Sequence, residues 1–360
     1  MKYRTDKTEG EKAYLQLYRQ LKSDIVAGLY PIGSKLPSKR LLAEESGVSV
    51  ITVEHTYRLL CDEGYAESRQ RSGYFVIYKQ SDFNSVTEAK HSVAPITPQI
   101  AENGETFPFS VLSRTMRRVL SEYGERILIK SPNHGCAELR NAIAGYLARS
   151  NGITVDAEQI IVGSGAEYLY SLMLQLLGAE RIYAIEDPSY EKIRKVYTAE
   201  GVGFEQLQLG KDGILTEELS KTKASVLHVT PFNSFPSGVS ASASKRWEYL
   251  DFVSRRDGFI IEDNYDSELT VSTKNEDTLF SLSKNGSVVY LNTFSRTVAP
   301  SVRVGYAVLP KRLLGEFEQR LGFYSCTVPV FEQYVLTELL ESGDFERHVN
   351  RIRRRRRKAK

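Results

Sequence analysis

Between residues 159 and 295 short apolar runs keep returning, separated by helical periodicity or by turns. "QIIVG" leads into "AEYLYSLMLQLLG", and "RIYAIEDP", "SVLHVTP", "GFIIEDNY" and "SVVYLNTFS" follow in order. Runs that are apolar at successive positions suit strands covered on both faces, which is the situation of a parallel sheet between helices. The alternation therefore predicts an α/β domain, a three-layer α/β/α arrangement around a largely parallel sheet. "FPFSVLSRTMRRVL" and "ELRNAIAGYLARS" read as helices of the same domain, which spans residues 106–360.

Residues 1–78 obey another order. "AYLQLYRQLKSDIVAGL" has helical spacing and ends at Gly28, and Pro31, Gly33 and Pro37 break the loop after it. Ser38 can cap "KRLLAEES" before Gly47, and Ser49 can cap "VITVEHTYRLLCDE" before Gly64. "YAESRQRSGYFVIY" then reads as two short strands around a polar turn. This is the order of a winged helix-turn-helix, whose third helix enters the major groove with its N-terminal residues nearest the base edges. Ser49, Ile51, Thr52 and His55 fall on that leading face. Arg40 is placed to reach phosphate, and Arg69 and Arg71 in the wing turn suit a backbone or minor-groove contact. Local charge does not separate this from a small helical domain without DNA, because the segment carries 12 basic and 10 acidic residues. Residues 79–105 are polar and aperiodic and read as a linker.

The net charge of +3 comes from the tail. Nine basic residues follow Glu346; without them 39 basic residues face 45 acidic ones. Such a run is either a solvated helix face or a nonspecific nucleic-acid contact. Cys61, Cys136 and Cys326 are odd in number and far apart, which argues for a reducing compartment and against a disulfide framework or a metal cluster. No apolar run approaches membrane-span length, and "MKYRTDKTEGEK" lacks an apolar signal core, so the expectation is a cytoplasmic protein with no membrane partner.

Four stretches of the later domain carry site chemistry. In "IIVGSGAEYLY" the amides of Ser164, Gly165 and Ala166 stand at a helix start, where phosphate binds, although any tight turn favours glycine. In "EDPSY" Tyr190 follows a strand and could stack on a flat ligand or simply pack. "GFIIEDNYDSE" ends a strand in acids, at the end of the sheet where ligands sit. There Asp263 suits a protonated ring nitrogen and Tyr265 a phenolic oxygen; the alternative is an acidic loop. "LNTFSRTVAP" carries Arg296, with Arg303 seven positions on.

The run from Gly28 to Ala43, "GLYPIGSKLPSKRLLA", strongly resembles the GntR-family winged-helix domain. "GCAELRNAIAGYL", "VTPFNSFPSG", "IIEDNYDSE" and "TFSRTVAPSVRVGY" together resemble the fold-type-I aminotransferase domain of the MocR subfamily of GntR regulators. The resemblance implies pyridoxal 5'-phosphate (PLP) as a cofactor. Ser164, Gly165 and Ala166 would form its phosphate turn and Tyr190 its stacking ring. Asp263 and Tyr265 would meet the ring nitrogen and phenolic oxygen, and Arg303 with Thr293 would clamp the phosphate. It also implies operator DNA, a homodimer and a small amino-acid-like effector as partners.

Three departures qualify it. Val50 stands where the family often has an arginine. Arg296 stands where the family carries the Schiff-base lysine, and no lysine lies between Lys284 and Lys311. Arginine keeps its proton, with a pKa above about 12, so it forms no aldimine; it can donate instead to a phosphate, a carboxylate or an aldehyde oxygen. Family members also continue past the stretch that ends here, into a small subdomain with a carboxylate-gripping arginine, so the expected second domain is incomplete. The expected function is transcriptional regulation with any PLP held non-covalently or not at all. The alternative is an aminotransferase with a DNA-binding appendage.

Overall fold

The computed structural model describes Tyr3 and residues 12–69, 72–78, 106–270 and 277–359. The chain divides into two compact units, Met1–Thr97 and Pro98–Lys360. Arg71 and the linker read at 79–105 lie outside the described residues.

In the first unit, helices α1 (Ala13–Val26), α2 (Lys39–Ser46) and α3 (Val50–Asp62) precede strands β1 (Ala66–Arg69) and β2 (Gly73–Val76). The caps follow from the sequence. The Ser38 hydroxyl accepts from the Leu41 amide at 3.2 Å, and Gly47 ends α2 in the left-handed region at φ 66°. The Ser49 hydroxyl accepts from the Thr52 amide at 3.1 Å and opens α3. The strands pair antiparallel, from Ala66 opposite Val76 to Arg69 opposite Gly73. Leu17, Leu21, Val53, Tyr57 and Leu60 meet as a closed apolar core. The Tyr57 ring lies 4.5 Å from that of Tyr74, and its hydroxyl donates to the Pro37 carbonyl at 2.6 Å, which fixes the loop between α1 and α2.

The second unit opens with α4 (Phe109–Tyr123) and α5 (Ala137–Asn151), then β3 (Ile160–Gly163) and α6 (Ala166–Leu177). Next come β4 (Tyr183–Asp187), α7 (Glu191–Ala199), β5 (Phe204–Gln208), α8 (Thr216–Lys221), β6 (Val226–Val229), α9 (Ala243–Ser254) and β7 (Phe259–Asp263). The described chain closes with α10 (Leu279–Leu282), β8 (Val288–Thr293), β9 (Gly305–Val308), α11 (Lys311–Leu321), α12 (Val330–Glu341) and α13 (Asp344–Ala359). The seven strands lie in the order β3-β9-β8-β7-β6-β4-β5. The run from β8 to β5 is parallel, and β9 is antiparallel to both its neighbours.

Alternation along the strands feeds two faces. Ile160 and Val162 enter a core with α5 and α12, whereas Ile161 enters a second core with α6 and α11. Ala184, Leu227 and Ile260 pack against α9 in a third. The layered fold agrees with the sequence reading. Strands β5 and β9 were not read from it: β5 is a largely polar, partly exposed "FEQLQ" at the sheet edge, and β9 sits inside a stretch read only for its motif.

Three buried glutamates of this unit are pushed above the ordinary carboxyl range. Burial pushes Glu186 up to about 8, against hydrogen bonds from the Ser234 hydroxyl and the Thr230 amide. Burial likewise pushes Glu262 and Glu268 to about 7. An unfolded glutamate releases its proton near 4.5, so across the window from there to about 8 the folded chain binds more protons. Their stabilisation is complete below the unfolded value and declines as pH rises through the folded ones. The melting temperature of this unit is expected to fall by several degrees between about pH 6 and about pH 9, and Glu186→Gln to flatten that slope. Differential scanning calorimetry checks both; a melting temperature that climbs with pH would contradict the assignment.

Candidate functional site

In the first unit the leading face of α3 points outward. Ser49 and His55 are exposed, Thr52 is half-buried, and Ile51 retains 67% of its accessible surface. The Ser49 oxygen also caps the helix, so its hydroxyl serves α3 first. His55 meets the Tyr14 ring edge-on at 5.8 Å. Arg40 is exposed on α2. Arg69 folds back, pairing with Glu67 at 2.7 Å and lying 4.4 Å over Phe75, so its guanidinium is engaged within the wing. An exposed isoleucine near the short hydroxyl side chains of Ser49 and Thr52 offers a face able to meet thymine methyls and base edges.

In the second unit a pocket of about 330 Å³ opens at the carboxyl ends of the parallel strands. Ala166, Tyr190, Tyr265, Thr293 and Arg303 line it, as the sequence proposed. Glu167, Tyr170, Phe235, Ser295 and Arg296 complete the lining, and no lysine is among the described residues that form it. Ser164, Gly165 and Asp263 do not line it. Tyr190 and Phe235 meet edge-to-face at 6.3 Å and form an aromatic wall.

The polar groups of this pocket have partners within the chain. Arg303 sits in the left-handed region at φ 44°, a conformation costing an arginine about 1 kcal/mol or more. From there its guanidinium lies over Gly165, where an added Cβ would come within 2.6 Å of it. Its counter-ion is Glu167, in the first turn of α6, at 2.5 Å. The other Glu167 oxygen takes Lys192 at 2.5 Å. Burial opposes the charged form of Glu167, but the Lys192 hydrogen bond, its own backbone amide and Arg303 outweigh it and hold the carboxyl at about 2. The Glu167 hydrogen bond in turn raises the Lys192 pKa, so this amine stays protonated.

Of the three amides assigned to the phosphate turn, two are spent. Ser164 N–H donates to Thr327 Oγ1 at 3.1 Å, and Gly165 N–H to the Gly163 carbonyl at 2.9 Å. Thr293 donates its hydroxyl to the Val304 carbonyl at 3.0 Å. Asp263 is buried at the end of β7, where Tyr170 O–H and, at 3.2 Å, the Tyr265 amide donate to its two oxygens. His228 Nε2 lies 3.8 Å behind it, while Tyr197 holds the other ring nitrogen at 2.9 Å. Burial, with Asp266 and Asp263 nearby, pushes the Tyr265 phenol up to about 12, and its hydroxyl points to the Asn233 carbonyl at 3.4 Å.

Arg296 reaches a carboxylate, one of the three partners open to it. Its Nε lies 3.3 Å from Asp266 Oδ1. Asp266 is buried and also takes Asn233 at 2.8 Å and Arg356 of α13 at 3.5 Å. Arg353 and Arg356 further donate to the carbonyls of Glu268 and Leu269, so part of the basic tail faces the loop after β7 while Arg354 and Lys358 stay exposed. Glu167, Tyr170 and Asp266 were missed by the sequence reading. The available signal was Glu167 itself: an acid in the helix turn beside a proposed phosphate site repels a dianion.

Among the described residues no helix is long and apolar enough to cross a membrane, and no His, Cys, Asp and Glu group is placed to hold a metal ion. Residues 104–360 match the family Aminotransferase class I and II, and residues 13–76 match Bacterial regulatory proteins, gntR family. The chain is 33% identical over 355 residues to the uncharacterized HTH-type transcriptional regulator YdeL of Bacillus subtilis (strain 168), covering 95% of this chain and 76% of that protein. It is 30% identical to the probable rhizopine catabolism regulatory protein MocR of Rhizobium meliloti, covering 94% and 74%. A solved structure of LysN, an alpha-aminoadipate aminotransferase from Thermus thermophilus complexed with N-(5'-phosphopyridoxyl)-L-leucine, superposes with a TM-score of 0.61 at 27% identity. That match covers 70% of this chain, which spans 65% of the other.

Proposed function

Because the chain belongs to the class I and II aminotransferase family and carries a gntR-family module ahead of that domain, we propose that it is a DNA-binding transcriptional regulator whose second domain works without turnover. The observation that carries the reading is the outward face of α3, where Ile51, Thr52 and His55 follow the Ser49 cap. Recognition-helix residues in these positions meet base edges, and Arg40 on α2 meets phosphate. A homodimer would present two such faces to half-sites of a palindromic operator.

The second domain serves pairing and ligand sensing. A ligand acts there by favouring one arrangement of the chain over another. Arg296 supports the non-catalytic reading: a permanently protonated guanidinium, tied to Asp266, supplies no amine and moves no proton. The residues present do not fit PLP as the resemblance implies, since Arg303 faces Glu167 and Asp263 faces Tyr170.

Titration of labelled DNA from upstream of the gene, against random DNA at matched salt, tests the reading. The expected preference is about a thousandfold or more. Equal affinity for the two would overturn it.

A further inference from the structure

Two charged groups at the pocket, Arg303 in its lining and Asp263 behind Tyr170, are satisfied by side chains of the first turns of α6. Glu167 occupies Arg303 and Lys192, and Tyr170, one helical turn on, occupies Asp263. Positions i and i+3 of a helix share a face, so both project toward the same opening. The wall left for a ligand is aromatic: Tyr170, Tyr190, Phe235 and Tyr265 around about 330 Å³, room for a single ring with short substituents. We propose that the pocket binds a flat, one-ring aromatic ligand without a phosphate group and turns phosphate esters away, Glu167 standing against Arg303 where a phosphate would and Tyr170 meeting Asp263 where a pyridinium would.

The physical argument is one of charge and of hydrogen-bond count. A phosphate dianion at Gly165 would have to displace Glu167 from Arg303 and then sit beside that displaced carboxylate. Like charges within a few ångströms in a partly buried site disfavour the ionised pair strongly. It would also find the Ser164 and Gly165 amides already donating within the chain. A neutral ring meets neither obstacle and gains the aromatic wall.

The proposal extends the reading of the second domain as non-catalytic. Its test contains no DNA, so its failure leaves the operator reading standing. Pyridoxine and pyridoxine 5'-phosphate are suitable probes, since the alcohol forms no imine with any lysine. Titrated calorimetrically into the full chain, wild type is expected to bind pyridoxine at least as tightly as its phosphate. Glu167→Gln should raise affinity for the phosphate ester about tenfold or more and leave pyridoxine within about threefold, whereas Glu167→Asp, which keeps the charge, should not. Tyr170→Phe should raise pyridoxine affinity severalfold by freeing Asp263 for the ring nitrogen. Circular dichroism confirms that each variant is folded. A wild-type preference for the phosphate ester, or an unchanged ester affinity in Glu167→Gln, overturns the role of Glu167. No pyridoxine binding in wild type overturns the aromatic ligand, and no gain in Tyr170→Phe removes Tyr170 from the proposal.

Discussion

Tyr57→Ala should unfold the DNA-reading unit and abolish operator binding while the second domain still melts at its usual temperature. Tyr57 is fully buried, packs at a tilt against the Tyr74 ring and donates to Pro37. Truncating a buried aromatic costs about 3–5 kcal/mol, through lost transfer energy and the cavity left behind. A unit this small holds a total stability of about the same size, because so little of its surface can be buried. Tyr57→Phe removes only the hydrogen bond to the Pro37 carbonyl and should cost about 1 kcal/mol. Thermal melts of the full chain followed by circular dichroism, beside the DNA titration, read both effects. Specific binding within threefold of wild type in Tyr57→Ala would show that the core at Tyr57 does not hold the reader together.

Asp266→Ala should be the most damaging single change among the charged residues in and behind the pocket. Asp266 is buried and is the shared acceptor of Asn233, Arg296 and Arg356. Removing it takes a shared buried acceptor from all three donors. Loss of one member of a buried ion pair costs about 3–5 kcal/mol, but the Arg296 side chain is 52% exposed and rehydrates, so about 2–3 kcal/mol is expected. Arg296→Ala alone should cost less than about 1 kcal/mol, since Asp266 keeps Arg356 and Asn233. Combining the two should cost less than their sum, because both changes remove the same Asp266–Arg296 ion pair. Chemical denaturation of the second domain measures all three. An Asp266→Ala variant as stable as wild type would mean that the Arg296 pair contributes nothing.

The helices of the first unit were legible because their boundaries are chemical. Ser38 and Ser49 are caps, and Gly47 supplies a left-handed turn that most side chains avoid. Strands β3, β4, β6, β7 and β8 were legible because helices cover both sheet faces, leaving continuous apolar runs. β5 escaped because an edge strand keeps polar residues, and β9 because nothing in "GYAV" marks its antiparallel sense. The pocket was half legible. Tyr190, Tyr265, Thr293 and Arg303 were placed by motif, and they do converge. Their partners were not, because the pairs Glu167–Arg303 and Asp266–Arg296 join residues far apart in the chain. No local spacing encodes such a pair; only the sheet order brings β3 and β8 to the same end.

Incubating the purified chain with an equimolar amount of PLP, reducing with borohydride and measuring the intact mass tests most directly whether position 296 has left this pocket without an amine. The expected result is an unmodified chain. A stoichiometric pyridoxyl adduct, mapped by peptide digestion to a lysine in the second domain, would contradict the account.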